Sequence, residues 1–214
     1  MREDQAAVID LLASPSTHGG APVERIDTHG SVVFLAGQRA WKLKRAVQYD
    51  YMDFSTAARR QWCCEAEVRL NRRAAPTLYR GVVAVTRETD GSLALGGSGS
   101  PVDWVVEMNR FDQEGLFDRL AARGALDLDL MGPLAGAIAR FHAAAEPCPD
   151  RGGRAGMTWV VDGNAAGFRE FGANVLASAA CAQVTSDALA EIERHAPLLE
   201  ATQVHSGFRM AAWT

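Results

Sequence analysis

The sequence predicts an α+β chain, a small antiparallel β-rich lobe with one packed helix followed by a mainly helical lobe, and three observations predict it. Short runs of branched and aromatic residues separated by glycine-containing turns fill residues 23–47 and 81–111. One helical pattern, from about residue 55 to 74, interrupts them. From Glu114 onward apolar residues recur at three and four spacing. The expected organisation is an N-terminal helix and linker over residues 1–20, a β-rich lobe over 21–111, a helical lobe over 112–201 and an atypical tail over 202–214.

In chain order, Ala7, Val8, Leu11 and Leu12 sit at helical spacing, and the breaker stretch SPSTHGGAP stops that helix. VERIDTHG, SVVFLAG and RAWKLKRAV follow, separated by His29-Gly30 and Gly37-Gln38, which predicts an antiparallel meander. Ser55 is the expected N-cap of a helix through AARRQWCCEAEVRLNRR to about Ala74, ended by Pro76. GVVAVTRE and PVDWVVEMNRF read as strands around DGSLALGGSGS, whose glycines read as a hairpin loop. The helical lobe is carried by EGLFDRLAARGAL, DLMGPLAGAIARFHAAA and TSDALAEIERHAPLLEA.

With 214 residues, 48% of them hydrophobic, the chain can bury a sizeable core. A formal net charge of -4 gives no general attraction to nucleic acid or to an anionic membrane. Arg59, Arg60, Arg69, Arg72 and Arg73 read as a solvated helix face. No run approaches the roughly 18 apolar residues of a membrane span. MREDQAAVIDLL lacks the basic start and apolar centre of a signal peptide. A cytoplasmic location without nucleic-acid or membrane partners is expected. Cys63 and Cys64 are adjacent, Cys148 and Cys181 are distant, and no C-x-x-C occurs, so reduced thiols are expected rather than zinc or a disulfide framework.

In RAWKLKRAV an extended chain puts Lys42 and Lys44 on one face and Trp41 and Leu43 on the other. Two readings compete: an edge strand guarded against aggregation by lysine, or an anion site. A lysine lining a cleft needs a counter-ion, and the helix directly after this strand carries Glu65 and Glu67. Taken alone, helical glutamates are mostly solvated. Together, the strand lysine and helix glutamate form the arrangement of protein kinases and their relatives. His142, on an apolar helix, reads as a core histidine. GGSGS at 96–100 stands between two strands with no following lysine, so it is not a phosphate cradle.

The series THGSVVFLAGQRAWKLKRAV, DFSTAARRQWCCEAEVRLNRRAAPTLYRGVV, WVVEMNRF and AIARFHAAA resembles the aminoglycoside phosphotransferase-like branch of the protein kinase-like fold. More narrowly, it resembles bacterial proteins joining such a domain to a P-loop ATP-binding domain. The resemblance covers roughly residues 22–145. It implies ATP and Mg2+ as cofactors and transfer of the γ-phosphoryl group to a hydroxyl of a small-molecule acceptor. It also implies roles: Ala40 roofing the adenine, Lys42 on the phosphates with Lys44 in reserve, and Glu67 orienting the lysine. Glu107, Met108 and Asn109 fall on the interlobe hinge, and Thr28, His29, Gly30 and Ser31 on the phosphate-covering turn, without the glycine repeat of protein kinases.

The family's H-G-D-x-H-x-x-N motif and its later aspartate have no counterpart; the chain closes with QVHSGFRMAAWT, where His205-Ser206-Gly207 is a poor echo. No catalytic or metal-binding residue is assigned. The expectation is a chain truncated before its catalytic loop by a frameshift, an early stop or design, inactive as it stands, and self-associating through exposed helical-lobe surface. The alternatives are a non-catalytic nucleotide-binding or regulatory module and a remnant that binds nothing.

Overall fold

The computed structural model describes residues 3–49, 51–145, 152–172 and 174–203. It divides into two compact units, one running to Ala137 and one beginning at Ile138. The first opens with α1 (Ala6–Ala13), then β1 (Val23–Asp27), β2 (Ser31–Ala36) and β3 (Arg39–Lys44). A small hairpin of β4 (Gln48–Tyr49) and β5 (Met52–Asp53) leads into α2 (Ala57–Asn71), followed by β6 (Tyr79–Arg87), β7 (Leu93–Leu95) and β8 (Ser100–Asn109). Next come α3 (Phe117–Ala122) and α4 (Met131–Ala143), and α4 spans the division between the units.

Six strands form one antiparallel sheet in the order β1-β2-β3-β8-β6-β7. β1 to β3 are the predicted meander, turned at its second corner by Gly37 with φ of +53°, a conformation that costs a β-carbon dearly. β3 lies between β2 and β8 with both edges paired, which rules out the edge-strand reading of its lysines.

The register fixes the two faces. Val32 pairs with Leu43 and Leu43 with Val105, so these three share one face, which α1 covers with Val8 and Leu12; Phe34 and Val85 join them, all but Val8 at 0% exposure. Each such side chain contributes about 1.5–3 kcal/mol by leaving water. On the other face Val106 meets Cys64 and Val68 of α2, with Val82, Trp104 and Met108 packed around them. The central strands β2, β3 and β8 are thus covered on both sides, which is why they read as more apolar than a strict alternation.

Several details differ from the sequence expectation, the largest being a helix over Gly153–Phe171 that was not anticipated. Thr56, not Ser55, caps α2, its hydroxyl accepting from the Arg59 amide, while Ser55 bonds Asp53. The stretch expected as a loop contains β7, paired with β6. The β4–β5 hairpin was not anticipated; Met52 and Phe54 there pack with Val47 and Cys63.

The second unit holds α5 (Gly153–Phe171), α6 (Ser178–Arg194) and α7 (Ala196–Gln203). Arg154 ties α5 to α6 through Glu193, 3.2 Å, and its amide donates to Glu200 of α7, 3.1 Å. Among its described residues only Ala165 and Ile192 are buried hydrophobics. No helix of the described residues is long and apolar enough to cross a membrane.

Candidate anion-binding site

The lysine-bearing face of β3 and the inner face of α2 build this site. Arg60, Cys63, Cys64 and Val68 are buried at helical spacing along α2, and Glu67 lies on that stripe, one turn beyond Cys63. Glu65 lies outside it, exposed, and accepts from Gln61.

Glu67 therefore reaches the lysines. Lys42 Nζ donates to Glu67 Oε1 at 2.9 Å and Lys44 Nζ donates to Glu67 Oε2 at 2.6 Å. The side chains differ in exposure: 30% for Lys42, 7% for Lys44 and 10% for Glu67. Burial alone would push the Glu67 carboxyl up, but the two ammonium groups and the hydrogen bonds they donate outweigh it and hold it below the ordinary carboxylate value. Two cations around one carboxylate leave the cluster with one positive charge, its partly open side at Lys42.

Ala40, two residues before Lys42 on the same face, is buried and pairs with Leu35 and Met108. Glu107, Met108 and Asn109 remain within β8, paired to β3. The Asn109 amide donates to Leu78 and the Arg110 amide to Gln38, so these backbone donors are engaged. Glu107 and Asn109 side chains are held by Arg39 and Arg80. In the Thr28–Ser31 turn, the Thr28 amide donates to the Ser31 carbonyl and the Ser31 amide to the Thr28 hydroxyl. Gly30 is buried against Met52, whose Cε lies 3.0 Å from where a β-carbon would stand. Thr28, Gly30 and Ser31 thus form a closed turn seated on the β4–β5 hairpin.

Arg60 was expected on a solvated face but is 1% exposed. Its Nε donates to Asp103 Oδ1 at 2.7 Å and its Nη1 to the Phe54 carbonyl at 2.9 Å. Gln5 Nε2 donates to Asp103 Oδ2, 2.7 Å, and to the Lys44 carbonyl, 3.0 Å, and Gln5 Oε1 accepts from the Ala46 amide. This buried network anchors the end of β3 that carries Lys44. Its sequence signal was the position of Arg60 on the inward stripe of α2.

A second missed signal is compositional. Of the chain's 22 basic residues only two are lysines, and both stand in this site. His142, expected in a core, is exposed on α4. Asp162 and Asp187 lie on α5 and α6. Cys148 and the closing stretch from Val204 fall outside the described residues.

The donors of this site are ammonium groups, which suit an anion such as a phosphate, and each oxygen of Glu67 accepts from one of them. Among the described residues no group of three or more His, Cys, Asp or Glu is placed to hold a metal ion.

The chain is similar to uncharacterized proteins of Mycobacterium tuberculosis (two strains) and Mycobacterium bovis, at 36% identity over 137 residues, which is 61% of this chain and 25% of each relative. It spans about a quarter of the length of these curated relatives. No family model and no solved structure matches it.

Proposed function

We propose that the β-rich unit is the nucleotide-binding lobe of a kinase-like small-molecule phosphotransferase of the aminoglycoside phosphotransferase-like kind. In this reading Lys42 holds the α- and β-phosphates of ATP, Glu67 orients it, and Ala40 roofs the adenine. The reaction of the whole protein is transfer of the γ-phosphoryl group of Mg-ATP to a hydroxyl acceptor. When bound, magnesium neutralises charge on the phosphates; its ligands are not assigned to residues of this chain.

The observation that carries the reading is the Lys42–Glu67–Lys44 cluster, a third-strand lysine paired with a glutamate of the helix that follows. It is partly open and has an uncompensated positive charge, which a phosphate can neutralise. The second reading for these residues is nucleotide binding or regulation without transfer.

Calorimetric titration of Mg-ATP and of ADP into the folded chain tests the proposal. Saturable binding is expected, weakened by Lys42→Ala about tenfold or more, on the order of 1.4 kcal/mol. A folded, monodisperse chain that binds neither nucleotide would sink it. Phosphorylation of a hydroxyl acceptor, abolished by Lys42→Ala, would exclude the second reading.

A further inference from the structure

We propose that the two lysines divide the work of this site: Lys44 is a positioning residue that carries the charge of Glu67, which frees the Lys42 ammonium to hold phosphate oxygens. The inference rests on the nucleotide reading above and adds which cation does what.

Lys44 is enclosed. Its side chain is 7% exposed, its Nζ lies 2.6 Å from Glu67 Oε2 and 4.8 Å from the centre of the Phe54 ring, and its carbonyl is held by Gln5. An ammonium so buried needs its carboxylate at all times, because an unpaired charge there is strongly unfavourable. Lys42, at 30% exposure, can turn its remaining N–H donors outward while keeping Glu67 Oε1 at 2.9 Å.

The electrostatic consequence follows from counting charges. A single lysine paired with Glu67 would be neutral, and an incoming phosphate would have to compete with the carboxylate for it. With Lys44 in place, Glu67 stays compensated whatever Lys42 binds. Both carboxylate oxygens are also fixed, so Glu67 holds Lys42 in one orientation.

Calorimetry of the full chain with Mg-ADP, and separately with inorganic tripolyphosphate, tests this on Lys44→Met and on Lys44→Met/Glu67→Gln. Methionine keeps the length and apolar character of the lysine stem without its charge. Lys44→Met is expected to weaken both ligands about tenfold, because Lys42 becomes the sole counter-ion of Glu67. Glu67→Gln keeps an oxygen that can accept from Lys42 while removing the charge, so the double variant should bind both ligands more tightly than Lys44→Met alone, a rescue that a merely structural lysine would not show.

Lys44→Met binding as tightly as the unmodified chain, or a double variant no tighter than the single one, overturns the proposal. Tripolyphosphate binding without Mg-ADP binding would sink the nucleotide reading and leave the division between the lysines standing. Failure of both ligands on the unmodified chain overturns both. Should Lys44→Met not fold, the unmodified chain decides, since its two lysines give two resolvable side-chain nitrogen signals by NMR. Tripolyphosphate is expected to move the Lys42 signal and leave that of Lys44 in place; an equal shift of both overturns the proposal.

Discussion

The β-rich unit and the helical unit differ in what their apolar residues touch. In the first, Leu12, Val32, Phe34, Leu43, Val85, Val105 and Val106 are all at 0% exposure. In the second, Ala165 and Ile192 are the described buried hydrophobics, while Trp159, Phe171, Val175, Val184 and Leu198 stand 53%, 76%, 83%, 61% and 61% exposed. The lesson concerns closure: a sheet with a helix on each face buries its own apolar residues, whereas amphipathic helices require a partner surface to bury theirs. The candidate site lies between the sheet and α2, where the apolar residues are buried, so its geometry is set by local packing.

The comparison breaks most visibly at Arg60. Arg60→Ala leaves Asp103, 1% exposed, without its cation, and a loss of about 3–5 kcal/mol is expected by urea unfolding of the β-rich unit. A loss within experimental error would mean that the buried network does not hold this unit together. Phe34→Ala, which opens the core under α1, belongs in the same range of about 3–5 kcal/mol.

Glu67→Gln is the next largest, roughly 1–3 kcal/mol, because Lys44 loses its charged partner. Its pH dependence is specific. The Glu67 carboxyl titrates lower in the folded chain than its ordinary 4.5, so the unfolded chain binds its proton first as pH falls. The stability it contributes is fully present above 4.5 and is lost as pH falls through the lower folded value. Unfolding curves from pH 7 to pH 3 should therefore show a shallower acid limb for Glu67→Gln; parallel limbs would contradict the pairing.

Thiol chemistry sharpens the contrast without a mutation. Burial pushes the Cys64 thiol up to about 12 and raises that of Cys63, while Cys181 in the helical unit is only half-buried. Peptide-resolved alkylation of the native chain should modify Cys181 well before Cys63 or Cys64, since the thiolate is the reactive species. Earlier labelling of Cys64 would place it in a looser environment than the packed face of α2.

The smallest stability effect belongs to the exposed helical residues. Trp159→Ser together with Val184→Ser should change stability by no more than about 0.5 kcal/mol per site, yet lower self-association measured by sedimentation velocity. Unchanged sedimentation would remove these faces as contacts between copies.

Much of this was legible in the sequence where period and punctuation agree. The meander of residues 23–44, the helix after it and the long strand ending at Asn109 follow from branched residues between turns, and the common face of Lys42 and Lys44 follows from the alternation of an extended chain. β4, β5 and β7 were missed because strands of two or three residues carry no periodic signal. Arg60 was misread because arginine is mostly exposed, although its spacing from Cys63, Cys64 and Glu67 marks the inward stripe. In the second unit TSDALAEIERHAPLLEA marked α6 and α7, but α5 was missed, its pattern interrupted by Gly156, Gly163 and Gly167. Periodicity also names a helix face and not what covers it, which is how His142 of α4 came to be expected in a core. The pairing of Glu67 with both lysines depends on how α2 crosses the sheet, a tertiary fact that residue spacing does not contain.

The most direct measurement is reductive methylation of the folded chain with and without saturating Mg-ATP, followed by mass spectrometry of the peptide containing both lysines. Lys42 should be methylated readily in the free chain and protected by Mg-ATP, while Lys44 stays unmodified in both. Methylation of Lys42 at the same rate with and without nucleotide would contradict a phosphate-binding role for this site.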